Sequence, residues 1–94
     1  MELIQKVTLR KGQVLTRDNI FNMLLSARST FQYAKFTANN GRYLWVFYNK
    51  DGTFEISTNS RDLSLWSRLE VVRRNNTIQM VAAFVFEWIN KFNM

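Results

Sequence analysis

The hydrophobic and polar positions between residues 31 and 58 follow a pattern that is typical of β-strands. Three runs, FQYAKFTA, RYLWVFYN and TFEIST, are rich in aromatic and branched residues, and Asn40-Gly41 and Asp51-Gly52 separate them. Such dipeptides accept the positive φ angles that tight hairpin turns require. Aromatic and branched side chains suit a pleated, half-buried surface. The pattern therefore predicts a three-stranded antiparallel meander over residues 31–58.

The outer strands of this meander each have one apolar and one polar face, whereas the middle strand is apolar on both faces. The length of the two turns decides which side of the middle strand joins the core. Two-residue loops would pair Phe36 with Trp45. Three-residue loops with a bulge would pair Phe36 with Leu44 and Val46 with Ile56. The sequence leaves both registers open.

In either register, the second face of the sheet carries Tyr33 and Lys35 beside large apolar side chains. Such a face must be covered by a helix, by a second subunit or by a ligand that stacks on it. Aromatic residues in short strands usually belong to the core, so the structural alternative places Tyr33 beneath the first helix. The functional interpretation depends on which of these covers the face.

Residues before the meander predict a strand and a helix. Residues 2–9 are interpreted as an N-terminal strand. Thr16 is a candidate N-cap, and Asp18 falls in the first turn, where a negative charge suits the helix dipole. Leu15 and Ile20 fit a hydrophobic staple, so a helix is predicted near residues 17–28.

The segment that follows the meander predicts a short helix near residues 61–68, with Ser60 as its candidate cap. The next stretch, residues 69–74, is ambiguous. It can prolong the helix or form a strand, because Val71 and Val72 are β-branched.

A last helix is predicted near residues 77–92, with Asn76 or Thr77 at its start. Its buried face is a broad apolar stripe, made of Ile78, Val81, Ala82, Val85, Trp88, Ile89 and Phe92. Together these elements predict one α+β domain over residues 1–94. Its small antiparallel sheet, the meander plus the N-terminal strand, is packed by the helices.

The composition limits the ligands and reactions that the side chains can support. The 94 residues include 13 Lys and Arg against 7 Asp and Glu, a net charge of +6. This charge suits phosphate binding, and it also lies within the range of about 2 to 8 that keeps small domains soluble. The sequence has no His and no Cys, so imidazole and thiolate chemistry is excluded. We expect no enzymatic activity, no metal and no cofactor.

The longest apolar run, residues 80–86, is far shorter than the roughly 18 residues that cross a bilayer. The absence of Cys fits a reducing compartment. We therefore expect a cytoplasmic protein with no membrane partner.

Single-stranded nucleic acids bind to exposed aromatic side chains that have Lys or Arg nearby. Tyr33 and Lys35 meet this requirement in both registers, and Trp45 or Tyr48 joins them, depending on the turns. The sequence therefore predicts a small basic protein that binds RNA or single-stranded DNA. The other candidate phosphate contacts are basic residues in turns or adjacent pairs, namely Arg10, Lys11, Arg42, Lys50, Arg73 and Arg74. The alternative is that these are ordinary solvated charges.

A protein-interaction or inhibitor module is the second hypothesis. It would bind a partner, or a second copy in a homodimer, through the open sheet face. Phe84 and Phe86, which flank the apolar stripe of the last helix, are the other candidate contacts.

The order FQYAK, NGRYLWVF, DGTFEIST and LSLWSRL resembles the strand–strand–strand–helix layout of whirly-type coactivators that bind single-stranded DNA. This resemblance covers less than half of the chain and assigns no role to any residue. The small size, the basic charge and the missing Cys resemble small early proteins of bacterial viruses. That likeness implies a partner protein from the host or its defences.

Overall fold

A computed structural model describes residues 3–8, 15–30, 33–49, 51–60, 63–75 and 77–93. The elements in chain order are β1 (Leu3–Thr8), α1 (Arg17–Thr30), β2 (Tyr33–Thr37), β3 (Tyr43–Tyr48), β4 (Phe54–Thr58), α2 (Leu63–Asn75) and α3 (Ile78–Phe92). This arrangement confirms the predicted α+β fold, with an antiparallel meander of three strands and helices that pack on it.

The two turns of the meander are built alike and settle the register. The Ala38 amide donates to the Arg42 carbonyl at 2.8 Å, and the Gly41 amide donates to the Ala38 carbonyl at 3.1 Å. Three residues therefore separate Ala38 from Arg42, and Gly41 adopts a φ of +84°. Asn49, Gly52 and Thr53 repeat both bonds in the second turn.

Phe36 accordingly pairs with Leu44, and Val46 pairs with Ile56. The alternative register with two-residue loops, which would pair Phe36 with Trp45, is wrong. The physical reason is the left-handed glycine in each loop, Gly41 or Gly52, which suits a three-residue turn with a bulge.

Asp51 helps to close the second turn. Its carboxylate accepts a bond from the Thr53 hydroxyl at 2.5 Å and one from the Thr53 amide at 2.9 Å. These bonds hold the pKa of Asp51 below its ordinary value, and the bond from the hydroxyl contributes the most. The turn therefore favours the ionised carboxylate.

The sheet has the order β1-β2-β3-β4. β2, β3 and β4 are antiparallel, as predicted, but β1 pairs with β2 in parallel. The complete sheet is therefore mixed. The parallel pairing follows from the intervening α1, because strands joined through a crossover helix run in the same direction.

One face of the sheet meets the helices. The sheet residues that are buried share one side of the pleat: Ala34, Phe36, Ala38, Leu44, Val46, Phe54 and Ile56. They join a single core with residues of all three helices, including Ile20, Leu24, Leu69 and Val72. The helical layer therefore lies on this side, and within the described residues no helix or strand packs on the other side.

α3 is the central helix of that layer and contacts both α1 and α2. Every residue of its predicted apolar stripe is buried. Thr77 caps it, since the Met80 amide donates to the Thr77 hydroxyl at 3.2 Å. Thr16 caps α1 in the same way, accepting from the Asn19 amide at 3.1 Å. Both caps agree with the sequence prediction.

α2 extends beyond its prediction at the C-terminal end. It begins at Leu63, and it continues to Asn75, so the ambiguous stretch 69–74 is helical. Leu69 and Val72 lie three residues apart and are both buried, and this burial outweighs the modest strand preference of a β-branched residue. The predicted cap at Ser60 depends on residues 61 and 62, which lie outside the described residues. The Ser60 amide donates to the Thr58 hydroxyl at 3.1 Å.

Among the described residues, no helix combines the length and the apolar character that crossing a membrane requires.

Candidate nucleic-acid interface

Three aromatic rings form a cluster on the face of the sheet that is turned away from the helices. We call this side the open face. Tyr33 of β2 stacks with Trp45 of β3 at 5.0 Å between ring centroids and 20° between planes. Phe47 lies 5.0 Å from Tyr33 and 5.6 Å from Trp45. All three residues are partly exposed, so the rings stabilise one another while one side stays accessible.

Lys35 lies beside this cluster and binds two rings. Its ammonium nitrogen is 4.7 Å from the centroid of Trp45 and 5.6 Å from that of Tyr43. Both distances fall within the roughly 6 Å reach of a cation–π contact. The positive charge is therefore held over the aromatic surface rather than extended away from it.

A shallow depression of about 490 Å³ lies at this place. Its lining consists of Lys35, Tyr43, Trp45, Phe47 and Ser57. The sequence reasoning identified Lys35 and Trp45 but missed Tyr43 and Phe47. Period-two alternation along β3 would have found both, once the turn length had shown that Trp45 faces away from the core.

Two polar residues of β4 complete the open face. The register places Glu55 directly opposite Phe47 and Ser57 directly opposite Trp45. Both are exposed. Neither side chain has a hydrogen bond or ion pair within the described residues, so both are accessible to a ligand on this face.

Tyr48 does not join the open face, and this candidate is wrong. Its ring lies 5.3 Å from that of Phe54, and it packs against the core on the helical side. The three-residue turns are the cause, because they place Leu44, Val46 and Tyr48 on the buried side of β3.

Three candidate arginines also lie away from the open face. The guanidinium of Arg42 sits 4.8 Å from the ring centroid of Phe92, at the end of α3. Arg73 donates to the carbonyl of Ile56 and pairs with Glu70, both at 3.4 Å. Arg73 thereby covers part of the edge of β4, and its charge is used within the fold. Arg74 is exposed on α2, in the helical layer.

The remaining basic candidates, Arg10, Lys11 and Lys50, lie outside the described residues. In the part of the chain that is described, the open face therefore gathers Tyr33, Lys35 and Trp45 of the predicted set.

The two phenylalanines that were predicted to bind a partner differ in exposure. Phe84 is only 3% exposed and belongs to the core, so it is not accessible to a partner of the folded chain. Phe86 is partly buried, and the guanidinium of Arg17 covers its ring at 5.1 Å. Phe86 is thus partly accessible to a partner, whereas Phe84 is not.

Acidic groups do not gather in the described regions: no three of them lie close enough together to hold a metal ion. No known protein family, curated protein or solved structure matches the chain. Neither resemblance noted in the sequence gains support from these comparisons, and the functional argument rests on the geometry of the open face.

Proposed function

We propose that the protein binds single-stranded nucleic acid, RNA or DNA, on the open face of its sheet. The observation that carries the proposal is the cluster of Tyr33, Trp45 and Phe47, partly exposed on the side opposite all three helices. A folded chain of this size normally buries such rings. Here they form a continuous aromatic surface that unpaired bases can stack on.

The shape of the site favours single strands over duplexes. Bases in a duplex stack on one another and are not available to a flat aromatic surface, whereas unpaired bases can be splayed out and stacked on protein rings. The open face lies on a sheet, and no described element protrudes from it as a reading helix would for a major groove. Single-stranded ligands therefore fit this surface best.

Lys35 supplies the contact for a phosphate. Its ammonium group is held above Trp45 and Tyr43, so a strand whose bases stack on these rings would pass its backbone close to this charge. The register also pairs Lys6 of β1 with Lys35, which brings a second cationic residue to the neighbouring strand. The net charge of +6 favours the approach of any polyanion.

Fluorescence anisotropy with labelled single-stranded RNA, single-stranded DNA and duplex DNA tests the proposal. We expect the single strands to bind more tightly than the duplex. Stacking on an aromatic ring contributes about 1–3 kcal/mol per base. The variants Tyr33→Ala and Trp45→Ala should therefore each weaken binding by about 5- to 150-fold.

Phe86→Ala is the matched control, because it removes a partly buried ring from the helical side. It should leave the affinity for single strands unchanged. Circular dichroism and thermal unfolding establish that each variant is folded. Full affinity in both folded open-face variants would exclude the open face as the binding site.

A protein partner or a second copy of the chain is the alternative ligand of the same surface. It is favoured by one observation: the arginines whose contacts are described bind other groups and do not lie beside the rings. In that case the anisotropy experiment would show no binding of nucleic acid. Light scattering would show association that depends on Trp45 and changes little with salt, as expected of an apolar interface.

A further inference from the structure

The open face carries a carboxylate where a surface that binds phosphates would be expected to avoid one. Glu55 lies on β4, directly opposite Phe47. It is exposed, and within the described residues it has no hydrogen bond or ion pair. Side chains that are directly opposite in an antiparallel pair have Cβ atoms about 5 Å apart. The carboxylate therefore stands at the border of the aromatic cluster and repels phosphates there.

Three neighbours border the ring of Phe47 on the open face. Tyr33 occupies the side towards β2, with its centroid 5.0 Å from that of Phe47. Trp45 lies next along β3, at 5.6 Å. The side towards β4 holds Glu55. A base in contact with Phe47 can thus present its polar edge to Glu55, the residue directly opposite.

Building on the proposed function, we infer that Glu55 makes the open face selective for guanine. An ionised carboxylate only accepts hydrogen bonds, and it offers two oxygens. Guanine carries two adjacent donors on its Watson–Crick edge, N1–H and the N2 amino group, which match these oxygens as a pair. Adenine and cytosine each offer one amino group there. In uracil and thymine the single N–H lies between two carbonyl oxygens, which the carboxylate repels.

The test uses short uridine-rich RNA strands that differ at one central position. This position holds guanine, inosine, adenine or uracil, and inosine differs from guanine only by the missing 2-amino group. Anisotropy gives the affinity of each strand for the wild-type chain. A bidentate contact discriminates between bases on the order of tenfold. We expect the strand with guanine to bind about tenfold more tightly than the strand with uracil. The strand with inosine should have an intermediate affinity.

Glu55→Gln replaces one acceptor oxygen by a donor and should remove the preference for guanine. Its affinity for the all-uridine strand should be retained or slightly increased, because a negative charge is lost. Glu70→Gln is the matched control. It changes the charge equally, but Glu70 lies on α2 and pairs with Arg73. The preference should persist in this variant.

The outcomes of this test distinguish failure of the inference about Glu55 from failure of the proposed function. Binding of all four strands with equal affinity would overturn the inference about Glu55 and leave the proposed function in place. A preference that survives Glu55→Gln, or that Glu70→Gln abolishes equally, would also overturn it. Failure of every strand to bind would overturn both.

Discussion

The backbone at Gly41 has a conformation that only glycine adopts easily. Its φ of +84° lies in the left-handed region, and a Cβ added there would meet no other atom within 4 Å. Replacement by alanine therefore tests backbone strain alone, without a steric clash. We expect Gly41→Ala to lower the free energy of unfolding by about 1 kcal/mol, as measured by urea denaturation.

Gly41→Asn is the control, because asparagine tolerates the left-handed region better than alanine does. It should lower the free energy of unfolding by less. If the two variants were equally unstable, strain at φ would not explain the loss. The turn geometry, and the strand register that follows from it, would then need revision.

At the scale of an element, the start of α3 depends on the hydroxyl of one residue, Thr77. The Thr77 hydroxyl accepts from the Met80 amide, and the helix that it caps lies between α1 and α2 with eight buried residues. An uncapped helix leaves its first amides without partners. We expect Thr77→Ala to reduce the free energy of unfolding by about 1 kcal/mol.

Thr77→Ser keeps the hydroxyl and should retain most of that stability, again measured in urea. The exposed position of Thr77 means that neither substitution changes the core. A similar loss in both variants would show that the methyl group, and not the cap, is what matters at this position.

The elements differ in how far the sequence determines them. The caps at Thr16 and Thr77 and the stripe of α3 depend on local spacing, and the sequence predicted them. The register of β3 depends on whether two or three residues form a turn, which Asn40-Gly41 permits equally. The extent of α2 depends on burial of Leu69 and Val72 against other elements, which no local pattern reports.

The candidate site shows the same division. Tyr33 and Lys35 were predictable because they share a face with each other in either register. The length of the turns decides whether Trp45 or Tyr48 lies on the open face, so only one of these two candidates could be correct. The arginines were chosen for their charge. Arg42 instead contacts Phe92, a residue far along the chain, and no local pattern reports such a contact.

At the scale of the molecule, the arginines whose contacts the structure describes do not gather beside the aromatic cluster. Arg68 pairs with Glu87 at 2.5 Å, and Arg73 pairs with Glu70. Arg17 instead covers a ring on the helical side. On the open face, Lys35 lies beside the rings, and Lys6 pairs with it on the neighbouring strand. The net charge should therefore speed the approach of nucleic acid, while few phosphates are contacted once it is bound.

The salt dependence of binding measures this difference directly. For single strands, log K against log [salt] has a slope of about −0.7 for each phosphate that is neutralised. We expect Lys35→Gln to make the slope shallower by about 0.7. Arg74→Gln removes the same charge from α2, where Arg74 is exposed, and should leave the slope unchanged. An equal effect of both variants would mean that diffuse charge, and not the open face, holds the ligand.

High salt separates the contribution of Lys35 from that of the rings. Exposed charges are screened there, so Lys35→Gln and the wild type should converge in affinity as salt rises. Trp45→Ala should remain weaker at every salt concentration, because base stacking does not depend on counterion release. If Trp45→Ala also converged with the wild type, the aromatic cluster would contribute no stacking. The protein would then bind nucleic acid by charge alone.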